Sequence, residues 1–269
     1  MSDTSFKWRW AHVDQSGRAQ QYVDLVNQSR IDDAPAHFPM ALAWLNAQPG
    51  ERLLEVGCGN GAIARAVARY MPSIRELIAV DASEAMVAEA QRQSKGKDLA
   101  VQFQVADAEE LPFSDASFDR CYTMETLSIV PDPYKAFMEL ARVTRPGGRI
   151  CVWESDCDAR AQLGSDLDLT RRLMRFVGDL EHNGAVARQV LGWGKGRGWS
   201  VQAVPAVGMS EELTSRLAIL LHEWIADAQD ARVISPGEAE QILLDLQQRQ
   251  LNGTYFSYAV NFRITAIKS

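Results

Sequence analysis

Leu53-Leu-Glu55-Val-Gly57-Cys-Gly59-Asn-Gly61-Ala62 is a short apolar run that ends in three glycines spaced two apart. An apolar run of strand length closed by a glycine cluster predicts a buried strand, a tight turn and the start of a helix. The helix follows over Gly61–Tyr70, with Ile63, Val67 and Ala68 as its apolar positions. Glycines in such a turn permit positive φ and let backbone N–H groups approach a ligand closely. Gly57-x-Gly59-x-x-Ala62 also satisfies the dinucleotide pattern GxGxxG/A, so the stretch alone leaves the ligand open.

Working outward, Leu77–Val80, Val101–Val105, Phe118–Thr123 and Arg149–Trp153 are further short apolar runs. Helical stretches separate them. Ser83 is placed to cap a helix carrying Met86, Val87 and Ala90, and Asp132-Pro133 supplies an N-cap and a first-turn proline for the next. Arg145-Pro-Gly-Gly148 reads as the stop of that helix. Strands that alternate with helices and are apolar on both faces predict a parallel sheet covered on both sides. After Glu154 the rhythm changes. Leu169, Leu173, Phe176, Val177 and Leu180 form a helical stripe, and Gly192–Gly198 reads as a glycine-rich connection. Val201–Val207 and Thr254–Ile267 are β-branched and aromatic enough for two more strands. Between them, Leu213, Leu217, Leu220, Leu221, Trp224 and Ile225 trace a long amphipathic helix, and Ile242, Leu243 and Leu246 a shorter one.

Acidic residues stand at the carboxyl ends of the first three strands, the edge where open α/β sheets bind ligands. Asp81 can accept hydrogen bonds from the two hydroxyls of a ribose, which suits NAD and S-adenosylmethionine equally. Glu55 is unusual for a dinucleotide site and can meet the amino end of a methionine moiety. Asp107 can accept the exocyclic amine of adenine, while Leu111 and Phe113 are expected to pack in the core. The chain has no Tyr-x-x-x-Lys pair of the kind hydride-transfer enzymes use, so the nicotinamide reading is the weaker.

Leu54-Glu-Val-Gly-Cys-Gly-Asn-Gly61, Val80-Asp-Ala-Ser83, the run from Val105-Ala-Asp107 to Phe118-Asp119, and Arg142-Val-Thr-Arg-Pro-Gly-Gly148 occur in that order. Together they resemble the motifs of class I S-adenosylmethionine-dependent methyltransferases, in the small-molecule branch similar to ubiquinone and menaquinone methyltransferases. The resemblance covers roughly residues 50–155 and rests on the order and spacing of the motifs rather than on the glycine loop alone. It implies a three-layer α/β sandwich around a seven-stranded, mostly parallel, Rossmann-like sheet with the last strand antiparallel, topped by a helical cap. It also implies that Gly57, Gly59 and Gly61 line the methionine end of S-adenosylmethionine and that Asp81 holds its ribose. Ala82 and Met86 would flank the adenine, Asp107-Ala108 would meet its edge, and Glu55 and Thr123 would complete the pocket. Glu55 stands where the family often has Asp.

The resemblance makes the chain one domain. Residues 1–50 and the insertions 156–198 and 208–252 form a cap on a core at 51–155, and 200–207 and 254–267 are edge strands. Methyl transfer from a sulfonium is an in-line displacement, for which the protein positions the acceptor, excludes water and, where needed, takes a proton. His182, in the turn His182-Asn-Gly184, and Tyr22, on an N-terminal helix that in the family folds over the cofactor, are the candidate catalytic residues; Tyr22 is also a candidate cofactor contact. Of the other histidines, His222 reads as a helix-surface or core residue, His37 as packing and His12 as part of an end segment. Glu154 and Asp156, just past the fifth strand, are candidate substrate contacts. The fourth strand ends Cys121-Tyr-Thr-Met-Glu-Thr126 and lacks the Asn/Asp-Pro-Pro-Tyr/Phe tetrapeptide of amino-group methylases that act on DNA and protein glutamine. A protein that binds S-adenosylmethionine without transferring methyl, such as a regulator or a cyclisation catalyst, stays open as the alternative.

Composition agrees with a small-molecule enzyme. The 269 residues are 46% hydrophobic with a net charge of −7, which disfavours nucleic acid and anionic membranes. The apolar runs are far shorter than the ~20 residues of a membrane span, and the N-terminus lacks an apolar signal core. Cys58, Cys121, Cys151 and Cys157 form no CxxC pair and read as reduced thiols of a cytoplasmic protein. No His/Cys/Asp cluster has metal-ligand spacing. The expected ligands are S-adenosylmethionine and a small, largely apolar acceptor, with the chain a monomer or homodimer.

Overall fold

The computed structural model describes residues 12–27, 43–180, 183–210 and 215–269, with the backbone alone over 206–210 and 215–217. Helix α1 spans Ala19–Asn27. There follow β1 (Arg52–Val56), α2 (Ala62–Tyr70), β2 (Glu76–Asp81), α3 (Glu84–Ser94), β3 (Val101–Val105), β4 (Phe118–Met124) and α4 (Pro133–Val143). The chain continues through β5 (Thr144–Gln162), α5 (Leu167–Leu180), α6 (Val186–Lys195), β6 (Ser200–Ser210), α7 (Ser215–Asp230), α8 (Pro236–Leu251) and β7 (Ser257–Ile267).

The strands form one seven-stranded sheet in the order β3-β2-β1-β4-β5-β7-β6. Strands β1 to β5 are parallel, with β3 at the sheet edge and β2, β1, β4 and β5 central, and β7 runs antiparallel to both β5 and β6. Because side chains alternate along a strand, each central strand feeds two cores. Leu53, Leu77, Ala79, Tyr122 and Cys151 pack with Ala64, Val67 and Ala68 of α2 on one face. Leu54, Ile78, Val80, Cys121, Ile150 and Val152 pack with Phe137, Leu140, Val186 and Val190 of α4 and α6 on the other. The expected three-layer fold is thus present. So are two expected helix starts: the Ser83 hydroxyl accepts from Met86 N, and Asp132 accepts from Lys135 N ahead of Pro133. A cap of this type stabilises a helix by about 1 kcal/mol.

A third apolar cluster joins Leu169, Leu173 and Val177 of α5 to Leu221, Trp224 and Ile225 of α7 and Ile242 and Leu246 of α8. These helices form the cap. Three local readings are corrected. Strand β5 starts at Thr144, through Arg145-Pro-Gly-Gly148, and runs on to Gln162, because β7 supplies antiparallel partners beyond the end of β4. Residues 186–195 are a helix, which takes in the first part of the expected glycine-rich connection Gly192–Gly198, while 183–185 form a turn as expected. Val186 and Val190 bury against the sheet, and a Cβ on Gly194 would lie 2.5 Å from Val201, so glycine permits close packing there. Finally, β7 begins at Ser257 rather than at Thr254.

Candidate functional site

The glycine loop joins β1 to α2, and Gly57, Gly59 and Gly61 all have positive φ (78°, 51° and 74°). Neighbours fill the space side chains would need. A Cβ on Gly57 would fall 2.1 Å from Thr126 Oγ1, and one on Gly61 2.5 Å from the Phe103 ring. The loop is held from β2. Asp81 Oδ2 accepts from Gly59 N at 2.8 Å, and Asp81 Oδ1 accepts from Ser83 N at 2.9 Å. Burial raises the Asp81 pKa above the usual carboxylate value, and those two N–H groups oppose the shift. The carboxylate keeps free lone pairs for further donors.

Glu55 lies beneath the loop and is 2% exposed. It accepts a hydrogen bond from the Tyr122 hydroxyl at 3.0 Å. Burial pushes its pKa up to about 8, the Asp81 charge adds to the shift, and Tyr122 and Arg65 oppose it. Glu55 is therefore largely protonated at neutral pH. At the end of β4, Thr123 is fully buried and its hydroxyl has no hydrogen-bond partner.

The N-terminal residues close over this edge. Asp14 accepts from the Ser83 hydroxyl and from Glu84 N, both at 2.7 Å, over the amino end of α3. An acid there is favoured by the exposed N–H groups of the first turn. Tyr22 and Val23 of α1 pack with Val13 on Met86, which is 3% exposed. At the end of α1, Asn27 donates to Glu89 and accepts from Asn60 and Gln93, each at 2.8 Å. Arg65, fully buried, donates to Asn60 O and to Gln93 Oε1 at 2.6 Å each. A polar network thus ties α1 to both helices flanking the glycine loop. Asn60 lies within the glycine motif, but Asn27, Glu89 and Gln93 carry no motif, and only the tertiary structure reveals the group.

The remaining sequence-derived positions are placed as follows. Ala82 is exposed beside Asp81, and Ala108 is buried. Asp107 is exposed and accepts from Glu109 N at 2.8 Å. Leu111 is buried in the core and Phe113 packs against it, as expected. His37 and His182 lie outside the described residues. His222 is exposed on α7, with Nδ1 2.7 Å from Ala218 O, in keeping with a surface role. Trp193 and Trp199 pack on the sheet core, Trp224 lies in the cap core and Trp153 packs against Trp44. Asp156 is 5% exposed and pairs with Arg188. Glu154 is fully buried and accepts from Thr126 N at 2.8 Å and Leu127 N at 2.7 Å. Among the described residues, no helix is long and apolar enough to cross a membrane.

Comparison with known proteins follows the same outline. Residues 54–152 match the methyltransferase domain family. Over 184 residues the chain is 34% identical to an uncharacterised 37.1 kDa protein in transposon TN4556 of Streptomyces fradiae, covering 68% of this chain and 52% of that protein. It is 37% identical over 123 residues to 27-O-demethylrifamycin SV methyltransferase of Amycolatopsis mediterranei, covering 45% of each. The chain thus spans about half the length of these relatives. Among solved structures, YcgJ of Bacillus subtilis superposes with a TM-score of 0.62 at 22% identity, over 86% of this chain and 97% of that one, a likeness of fold. Residues 54–152 of the chain thus form a methyltransferase domain, of the class I S-adenosylmethionine-dependent kind that its ordered motifs resemble.

Proposed function

We propose that this chain transfers the methyl group of S-adenosylmethionine to an O, N or C atom of a small, largely apolar metabolite by in-line displacement. The observation that carries the reading is the Asp81–Gly59 bond, which joins the ribose-binding carboxylate candidate to the glycine loop. The residues present fit the cofactor. Three left-handed glycines present a turn of bare backbone, open at Gly59, and the buried Thr123 hydroxyl lacks a partner at the same sheet edge. Gly57, Gly59 and Gly61 would face the methionine moiety, with Glu55 and Thr123 close by. Asp81 would hold the ribose, Ala82 and Met86 would flank the adenine, and Asp107-Ala108 would meet its edge. The cofactor supplies the activated methyl group when bound.

The chain's own residues would bind, orient and exclude water. Tyr22, carried by the latched α1, would close the site, and His182 is the other candidate catalytic residue. We read the whole chain as one domain that acts in the cytoplasm as a monomer or homodimer without nucleic-acid partners. Calorimetry with S-adenosylmethionine, S-adenosylhomocysteine and NAD tests the cofactor assignment: binding of NAD alone would overturn it. Mass spectrometry of metabolite extracts incubated with the chain and S-adenosylmethionine tests the reaction. The expected product is heavier than its precursor by one CH2. Cofactor binding with no such product in any extract would favour the non-methylating alternative.

A further inference from the structure

The loop between β4 and α4 sits between the cofactor side and the cap side of the molecule, and one buried side chain holds it. Glu154 reaches from β5 and accepts from the N–H groups of Thr126 and Leu127 through a single oxygen, Oε1. Its second oxygen is buried without a hydrogen-bond partner. On the cofactor side, the Thr126 hydroxyl reaches the carbonyls of Met124 (3.1 Å) and Val56 (3.3 Å), and its side chain lies directly over Gly57. On the cap side, Asn183 donates through its backbone to Ser128 O at 2.9 Å and through its side chain to Val130 O at 2.7 Å. Asn183 leads into α6. Both N–H groups are paired with Glu154, and a buried N–H left unpaired is costly.

We propose that Glu154 is a positioning residue of the methyl-transfer site: by its length and its Oε1 acceptor it holds the 126–130 loop against Gly57 while the same loop anchors the cap at Asn183. The proposal rests on the reading of the glycine loop as the cofactor pocket. It makes reach, not charge, the property that matters. Burial and the nearby Glu125 carboxylate push the Glu154 pKa up to about 8, so a neutral carboxyl meets the loop at neutral pH. A neutral carboxyl still presents a carbonyl-type oxygen to two N–H donors, and so does an amide of the same length.

Two variants separate reach from charge. Glu154→Gln keeps the length and the acceptor; Glu154→Asp keeps the ionisable carboxyl and is one methylene shorter. Calorimetry with S-adenosylhomocysteine is expected to give wild-type affinity for Gln and a loss of ~10-fold or more for Asp, the scale of losing hydrogen bonds to buried donors. Amide exchange at Thr126 and Leu127 should stay slow in Gln and accelerate in Asp. If the Asp chain does not fold, Glu154→Leu, of similar volume but without an acceptor, takes its place with the same expected loss. Retained affinity in the shortened variant, or loss in Gln, overturns the proposal while leaving the cofactor reading intact. Absence of binding by the wild-type chain removes the cofactor reading and the proposal with it.

Discussion

The carboxylate of Asp81 accepts a hydrogen bond from the backbone N–H of Gly59, 22 residues earlier in the chain, at 2.8 Å. The end of β2 thus sets the shape of the loop that leaves β1. Asp81→Ala removes both that bond and the group expected to meet the ribose. S-adenosylhomocysteine affinity should fall by ~10–100-fold, the usual scale for hydrogen bonds to a charged group. Isothermal titration measures it, and unchanged affinity would sink the ribose assignment.

The glycines of the chain are not equivalent. Gly57→Ala forces a side chain into positive φ and onto Thr126, so it should destabilise the fold by about 1–3 kcal/mol. Gly192 lies in α6 with nothing within 4 Å of its would-be Cβ, so Gly192→Ala should be stabilising by about 0.5–1 kcal/mol. Paired thermal melts check the contrast. Equal effects would show that the loop tolerates a side chain.

Glu55 and Glu154 are both buried carboxyls with pKa values raised from 4.5 to about 8. Between those values the native state holds protons that the unfolded chain has released. Stability should therefore be greatest at the acid end of that window and fall as pH rises from about 4.5 through 8, with a limiting slope of about 1.4 kcal/mol per pH unit for each group. Glu55→Gln should flatten part of the slope and raise the melting temperature at pH 8 relative to wild type. Denaturation across the pH range reads this directly; a slope unchanged by the substitution would mean Glu55 does not titrate in that window.

Asn27 joins α1 to Glu89, Asn60 and Gln93. Asn27→Ala should free the end of α1 from the glycine-loop helices at a cost of about 1 kcal/mol or a little more. Faster amide exchange confined to residues 19–27, with a several-fold weaker S-adenosylhomocysteine affinity, is the expected pattern. Exchange as slow as in the wild type would show that apolar contacts of Tyr22 and Val23 alone hold the helix.

What could be read from the sequence followed rules of short range. Apolar runs, the glycine spacing, the Ser83 cap and the Asp132-Pro133 start each involve residues within a few positions, and the structure contains all of them. Helix α6 escaped because Gly192 and Gly194 speak against a helix locally, while burial of Val186 and Val190 decides for one. The full length of β5 escaped because its partner, β7, lies about a hundred residues away.

By itself the sequence determined the order of the strands and of most helices, the family motifs and the acidic residues at the sheet edge, since period, turn chemistry and spacing are local properties. The tertiary structure decided what those acids do. Burial holds Glu55 protonated against the opposing hydrogen bond from Tyr122, Gly59 engages Asp81, and Glu154 accepts from Thr126 and Leu127. A carboxyl group's role depends on its solvation and its donors, and both come from residues that only folding brings together.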